Sequence, residues 1–221
     1  NREDILTQFR RILEGGVAQQ EAEPTEVERL IAWATPARRR WQELAETLDP
    51  GTPCKLEHGQ YYIAFELFDD ALQPKQGAEL LDAIQTAPRE VRTGWPPFAV
   101  FGREPNAPHL YQDEIECWLG QEPMVRLSAE HDPEPRKTRH SDYWRVSPRA
   151  QFFLLRGFQE DDVTVSAFEP GSAFDLTLPV WRLAETLYFA KAMAQVFGVP
   201  NAHIAIQVGW IGLDGRRLYP W

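Results

Sequence analysis

Apolar positions along the chain begin at helical spacing and change character near Tyr61, and that change organises the rest. In the first fifty residues they recur every three to four positions, the signature of helices with one buried stripe. Ile5, Leu6, Phe9, Ile12 and Leu13 share one face of a helix predicted over residues 2–14, which Gly15-Gly16 stop. A polar linker, Gln19 to Glu23, follows. Thr25, with Glu28 three residues on, has the spacing of a capping box and opens a second helix with Val27, Leu30, Ile31 and Ala34 inward. Thr35-Pro36 reads as the cap and first residue of a third helix. Its stripe is Trp41, Leu44, Ala45 and Leu48, and Pro50-Gly51 end it.

From Tyr61 the character changes to that of strands. Tyr61 to Phe68 is aromatic and β-branched, Tyr111 to Leu119 alternates, and Phe152 to Leu155 is apolar throughout. In the alternating run Ile115, Cys117 and Leu119 are expected inward, with Glu114, Glu116 and Trp118 on a wet face. Residues 74–84 predict a short helix with Leu80, Leu81 and Ile84 inward. Gly94 to Phe98 contains two prolines and reads as a rigid irregular loop. Residues 130–140 are charged and read as a loop. The longest helix is predicted over 179–197, with Val180, Leu183, Ala184, Leu187, Ala190, Ala194 and Phe197 as its core face; Pro179 and Gly198 bracket it. A last strand runs from His203 to Ile211. This order predicts an α+β fold: an N-terminal helical segment on a mixed, mostly antiparallel sheet with two further helices. Residues 1–50 form the helical segment and 55–221 the α+β domain, or the two make one continuous domain.

Composition narrows the function classes. The chain has 221 residues, enough to bury a core without staples. Its net charge of −10 argues against a surface built mainly to grip phosphates. Cys54 and Cys117 make no disulfide framework and are expected as buried free thiols in a reducing compartment. The chain lacks an apolar run of about 20 residues, a signal peptide and a lipidation motif. A cytoplasmic location is expected. The first residue is Asn1 and the helical pattern starts at once, which reads as truncation or processing.

The chemistry-bearing residues are scattered. None of the phosphate-loop, dinucleotide, nucleophile-elbow or zinc-protease motifs is present, and no cofactor is expected. Asp113, Glu114 and Glu116, with His131 or His140, could serve a metal-dependent nuclease or nucleotide hydrolase. His131, Asp132, His140 and Asp142 have metal-ligand types but loose spacing. Arg136, Lys137, Arg139 and Arg149, interleaved with Tyr143 and Trp144, are candidate nucleic-acid contacts. Arg156 lies inside an apolar strand and needs an acidic partner, for which Asp175 and Asp161 are candidates.

Several stretches together resemble one family. They are Thr93-Gly94-Trp95-Pro96-Pro97-Phe98, Glu116 to Leu119, His140 to Arg145, Phe153 to Gly157, Gln159-Glu160-Asp161, Phe174 to Arg182, and Trp210 to Arg216. The chain resembles the region that follows the Schlafen/Alba-type DNA-binding domain in bacterial proteins labelled transcriptional regulators. The Leu-Glu-x-Lys strand that marks the DNA-binding domain itself is absent. The resemblance therefore implies a companion region and no catalytic motif. The expectation is a non-catalytic sensor, interaction or oligomerisation module of a bacterial regulatory or antiphage-defence protein. Its site would comprise Trp144, Arg145, Arg156, Asp175, Trp181 and Arg216, since indoles give flat contact and guanidinium forks read phosphate or carboxylate. Partners would be other domains or subunits, a nucleotide or nucleic acid, and a second copy of the chain, but no membrane.

Overall fold

The computed structural model describes residues 23–50, 52–87, 91–100, 106–119, 125–126, 136–137, 141–162 and 166–220. The helix expected over 2–14 lies outside them, as do His131, Asp132, Arg139 and His140. The described elements are helices α1 (Glu26–Glu46), α2 (Gly77–Thr86) and α3 (Leu178–Val196). The strands are β1 (Gln60–Phe68), β2 (His109–Tyr111), β3 (Glu114–Leu119), β4 (Val125–Arg126), β5 (Arg136–Lys137), β6 (Asp142–Val146), β7 (Gln151–Gly157), β8 (Ala173–Asp175), β9 (His203–Ile211) and β10 (Arg217–Tyr219).

Six strands form one antiparallel sheet in the order β2-β3-β6-β7-β1-β9. The fold is α+β, as the change of character predicts. β10 pairs in parallel with β8 in a separate two-stranded ladder, and β4 pairs with β5 in another. Side chains alternate across the sheet, so each strand feeds two cores. On one face Phe65, Ile115, Trp144, Val146, Phe152 and Leu154 pack beneath α2 and α3. Phe98 joins them from the two-proline loop, stacked on Phe189 and edge-on to Phe152. On the other face Ala64, Trp118, Tyr143, Phe153 and Leu155 pack beneath α1.

Two expectations need correction here. The helices read on either side of Pro36 are one, because α1 runs through that proline. Thr35 caps nothing; its hydroxyl donates back to the Ile31 carbonyl at 2.7 Å. The true start is Thr25, whose capping box with Glu28 is formed in both directions. The wet face of β3 is not wet. Glu114, Glu116 and Trp118 are buried because α1 lies over them, and Glu116 is only 1% exposed.

α3 departs further from its expected stripe. Ala190, Ala194 and Phe197 are buried as expected, but Val180, Ala184 and Leu187 face out. The inward residues of its first half are Leu178, Arg182, Glu185, Thr186 and Phe189. This half of the helix is inverted: polar groups inward, apolar groups outward.

Candidate functional site

The inverted half of α3 sits over a polar layer built by register. Cross-strand pairing sets Asp142, Arg156, Tyr61 and Trp210 in one row across β6, β7, β1 and β9. Asp142 takes a two-pronged bond from Arg156, with both N–O distances 2.6 Å, and a further bond from the Trp95 indole at 2.6 Å. The other acceptor for Arg156 is the Pro96 carbonyl, at 3.0 Å. Burial works against the charge on this guanidinium. Asp142 outweighs it and holds the pKa above the ordinary arginine value. The partner is thus Asp142, not Asp175 or Asp161. Above the row, Arg182 lies over the Tyr61 ring at 5.0 Å and donates to Gln159 at 3.2 Å. Glu185 accepts from the backbone of Arg92 and Thr93 and from the Thr93 hydroxyl. That carboxylate fastens the 92–95 loop to α3.

A second polar layer lies on the opposite face, under α1. Glu114 takes the Trp33 indole at 2.8 Å and the Arg145 guanidinium. Glu116 takes Arg40 at 3.1 Å and the Tyr143 hydroxyl at 3.0 Å, and its carboxylate lies 3.3 Å from His109. Both arginines also lie over the Tyr111 ring, at 4.4 and 5.0 Å. Burial, followed by the charge on Glu116, pushes the Tyr143 phenol well above its ordinary pKa.

A third cluster surrounds Arg216. It donates to Asp161 at 2.6 and 2.8 Å and to the carbonyls of Gly212, Ala173 and His58. Its plane lies 4.8 Å from the Phe158 ring centre. The chain leaves space for it: a Cβ on Gly59 would come within 2.6 Å of the guanidinium. Gly212, at φ 82°, turns the chain here, and a Cβ there would meet the His58 carbonyl at 2.5 Å.

The six residues grouped from the sequence therefore do not share a pocket. Arg145 and Arg156 lie on opposite faces, each tied to its own acid. Trp144 is core, its indole donating to the Ala99 carbonyl at 2.8 Å. Asp175 is buried and caps the start of α3 through the backbone of Thr177 and Leu178. Arg216 is a staple between turns. Trp181 alone stands at the surface. The cavity that Arg182 shares with Tyr61, Phe158, Glu160, Phe174 and Trp210 holds about 10 Å³, room for one water.

The alternatives are not assembled either. No group of three or more His, Cys, Asp or Glu among the described residues is placed to hold a metal ion. Asp113 is exposed in the β2–β3 turn, while Glu114 and Glu116 spend their lone pairs on arginines and indole or phenol donors. Of the four candidate nucleic-acid contacts, Arg136 and Lys137 form β5, and Arg149 is exposed in the β6–β7 turn. Cys54 and Cys117 are buried free thiols. No described helix is long and apolar enough to cross a membrane.

Sequence reasoning missed the outward face of α3. Val180 is 65% exposed, Tyr188 58%, Leu187 42% and Trp181 38%. Between the first α3 turns and the 92–93 loop, Trp181, Ala184, Glu185, Tyr188 and Arg92 line an open groove of about 450 Å³. The available signal was Arg182 and Glu185: two charges inside the expected core stripe's neighbourhood show that the helix is rotated. Comparison with family models, curated proteins and solved structures finds no match to this chain.

Proposed function

We propose that this domain is a non-catalytic interaction module, joining domains or subunits of a bacterial regulatory or antiphage-defence protein. One observation carries the reading. The first half of α3 turns its charges to the protein interior and its large apolar side chains to solvent. A helix normally does the reverse. Exposed apolar groups gathered on one face mark a surface that another protein covers. Arg145, Arg156 and Arg216 are meanwhile engaged in structural ion pairs, which supports a scaffold more than a reaction centre.

The test is Trp181→Glu with Tyr188→Glu. If these rings serve a partner, the double variant keeps its stability within about 0.5 kcal/mol, as exposed substitutions do, and loses association with companion chains. A large drop in unfolding midpoint would assign the rings to the domain's own fold and remove the reading. The groove beside Arg92 supports a second reading, a sensor for a flat anionic ligand such as a nucleotide. An indole, a phenol and a guanidinium around a small floor residue suit such a ligand, the Glu185 carboxylate beside them being taken up by Arg92 and Thr93. Calorimetric titration with nucleoside phosphates tests it, and no heat at any concentration would end it.

A further inference from the structure

Among the described residues, β9 is an edge of the sheet with no strand on its outer side. It pairs with β1 along all nine residues. Edge strands are ordinarily protected by charge, proline, bulges or brevity. His203-Ile204-Ala205-Ile206-Gln207-Val208-Gly209-Trp210-Ile211 contains no Asp, Glu, Lys, Arg or Pro, and its register with β1 is unbroken. A chain with net charge −10 could easily have placed an acid here.

The strand is also a size palindrome. Take Gln207 as the centre and pair the strand antiparallel with a copy of itself. Ile206 then meets Val208, Ala205 meets Gly209, and Ile204 meets Trp210. Large residues face large ones, small face small, and the central amides face each other. Ile204 and Trp210, both exposed in the single chain, cover one another. A partner of unrelated sequence has no reason to fit this pattern, whereas a second copy fits it by construction.

The flanks agree. On one face, α1 directs Arg29 to Phe68 of β1 and Trp33 to Glu114 of β3. Residues two apart on a helix point in nearly opposite directions. Ile31, two before Trp33, therefore points away from β3, and it is exposed, as is Val27 one turn before it. On the other face, Glu185 of α3 is held by the 92–93 loop, so Leu187, two residues on, points away from that loop, and it too is exposed. Both helices thus carry apolar residues that no described residue covers, on the side away from these contacts.

We infer that two copies of this chain pair through β9 about a two-fold axis at Gln207, joining their sheets into one. This rests on the reading of the domain as an interaction module and names its partner. Across such an axis, facing Cα atoms lie about 4.5–5.5 Å apart, within reach of a disulfide.

The experiment is oxidative crosslinking of the full chain, with sedimentation alongside. Gln207→Cys is on the axis and is expected to form a covalent dimer at least tenfold faster than His203→Cys, whose opposite residue is Ile211. The native thiols are buried and do not compete. Mixing His203→Cys with Ile211→Cys should restore crosslinking, and Ile204→Lys should convert the wild-type dimer to monomer while circular dichroism stays unchanged. A monomer at every concentration overturns the pairing. So does a dimer that crosslinks no better at 207 than at 203, or one that dissolves with Trp181→Glu but not with Ile204→Lys. That last outcome would keep the interaction reading and remove only β9 from it.

Discussion

Arg156 shows how much one buried charge asks of its neighbours. The residue is 2% exposed, and its guanidinium donates to the Asp142 carboxylate and the Pro96 carbonyl. Removing the carboxylate leaves an uncompensated charge in the core, which costs about 3–5 kcal/mol. Asp142→Ala is expected to lose that much in urea unfolding, and Asp142→Ala with Arg156→Met to recover part of it. An equal loss in both would show that the unpaired guanidinium is not what costs the stability. Tyr219 gives a pH-dependent counterpart. Burial, then the charges on Glu160 and Asp175, push its phenol from 10.0 up to about 12. A raised pKa on an acid means that the folded state favours the neutral form. The associated stability is complete below pH 10 and is lost as pH rises toward 12. The melting temperature of the wild type should fall more steeply over that window than that of Tyr219→Phe.

At the scale of the element, α1 and α3 are both held by polar contacts that reading by periodicity treats as surface. The alternation of Glu114 and Glu116 is real, but alternation cannot distinguish water from a helix that supplies arginine and indole. Arg40 is the clearest link, with burial opposing its charge and Glu116 more than restoring it. Arg40→Ala should destabilise the domain by about 1–3 kcal/mol, because Glu116 is then a buried acceptor short of its cation; chemical denaturation measures it. A value within error of zero would mean that His109 and Tyr143 suffice. The α3 stripe failed for a related reason. Its seven apolar positions do recur at helical spacing, but the second half of the helix faces an apolar core and the first half faces Asp142, Arg156 and the 92–95 loop. Apolar periodicity located the helix and misjudged its rotation.

For the molecule as a whole, several strands were open to sequence reasoning, but their order in the sheet was not. Tyr61–Phe68, Phe152–Leu155 and His203–Ile211 all lie in strands where their apolar runs put them, and the six-stranded sheet is antiparallel where a mixed, mostly antiparallel one was expected. The proposed site was not legible, yet part of its failure was. Trp144 and Arg145 are consecutive in a strand, so their side chains had to leave from opposite faces. The pairing of Asp142 with Arg156 depends on β6–β7 register, and that is set by the turn at Pro148-Arg149-Ala150, not by either residue. The self-pairing of β9 was in the letters from the start, but only the sheet order shows that the strand lies at an edge.

The position of β1 carries a cost during synthesis. It lies inside the sheet, between β7 and β9, but precedes both by long stretches of chain. Translation at about 5–20 residues per second leaves a gap on the order of ten seconds between Phe68 and His203. For that interval one of the most apolar segments of the nascent chain has an unfilled side, and whatever shields it then must let go when β9 emerges.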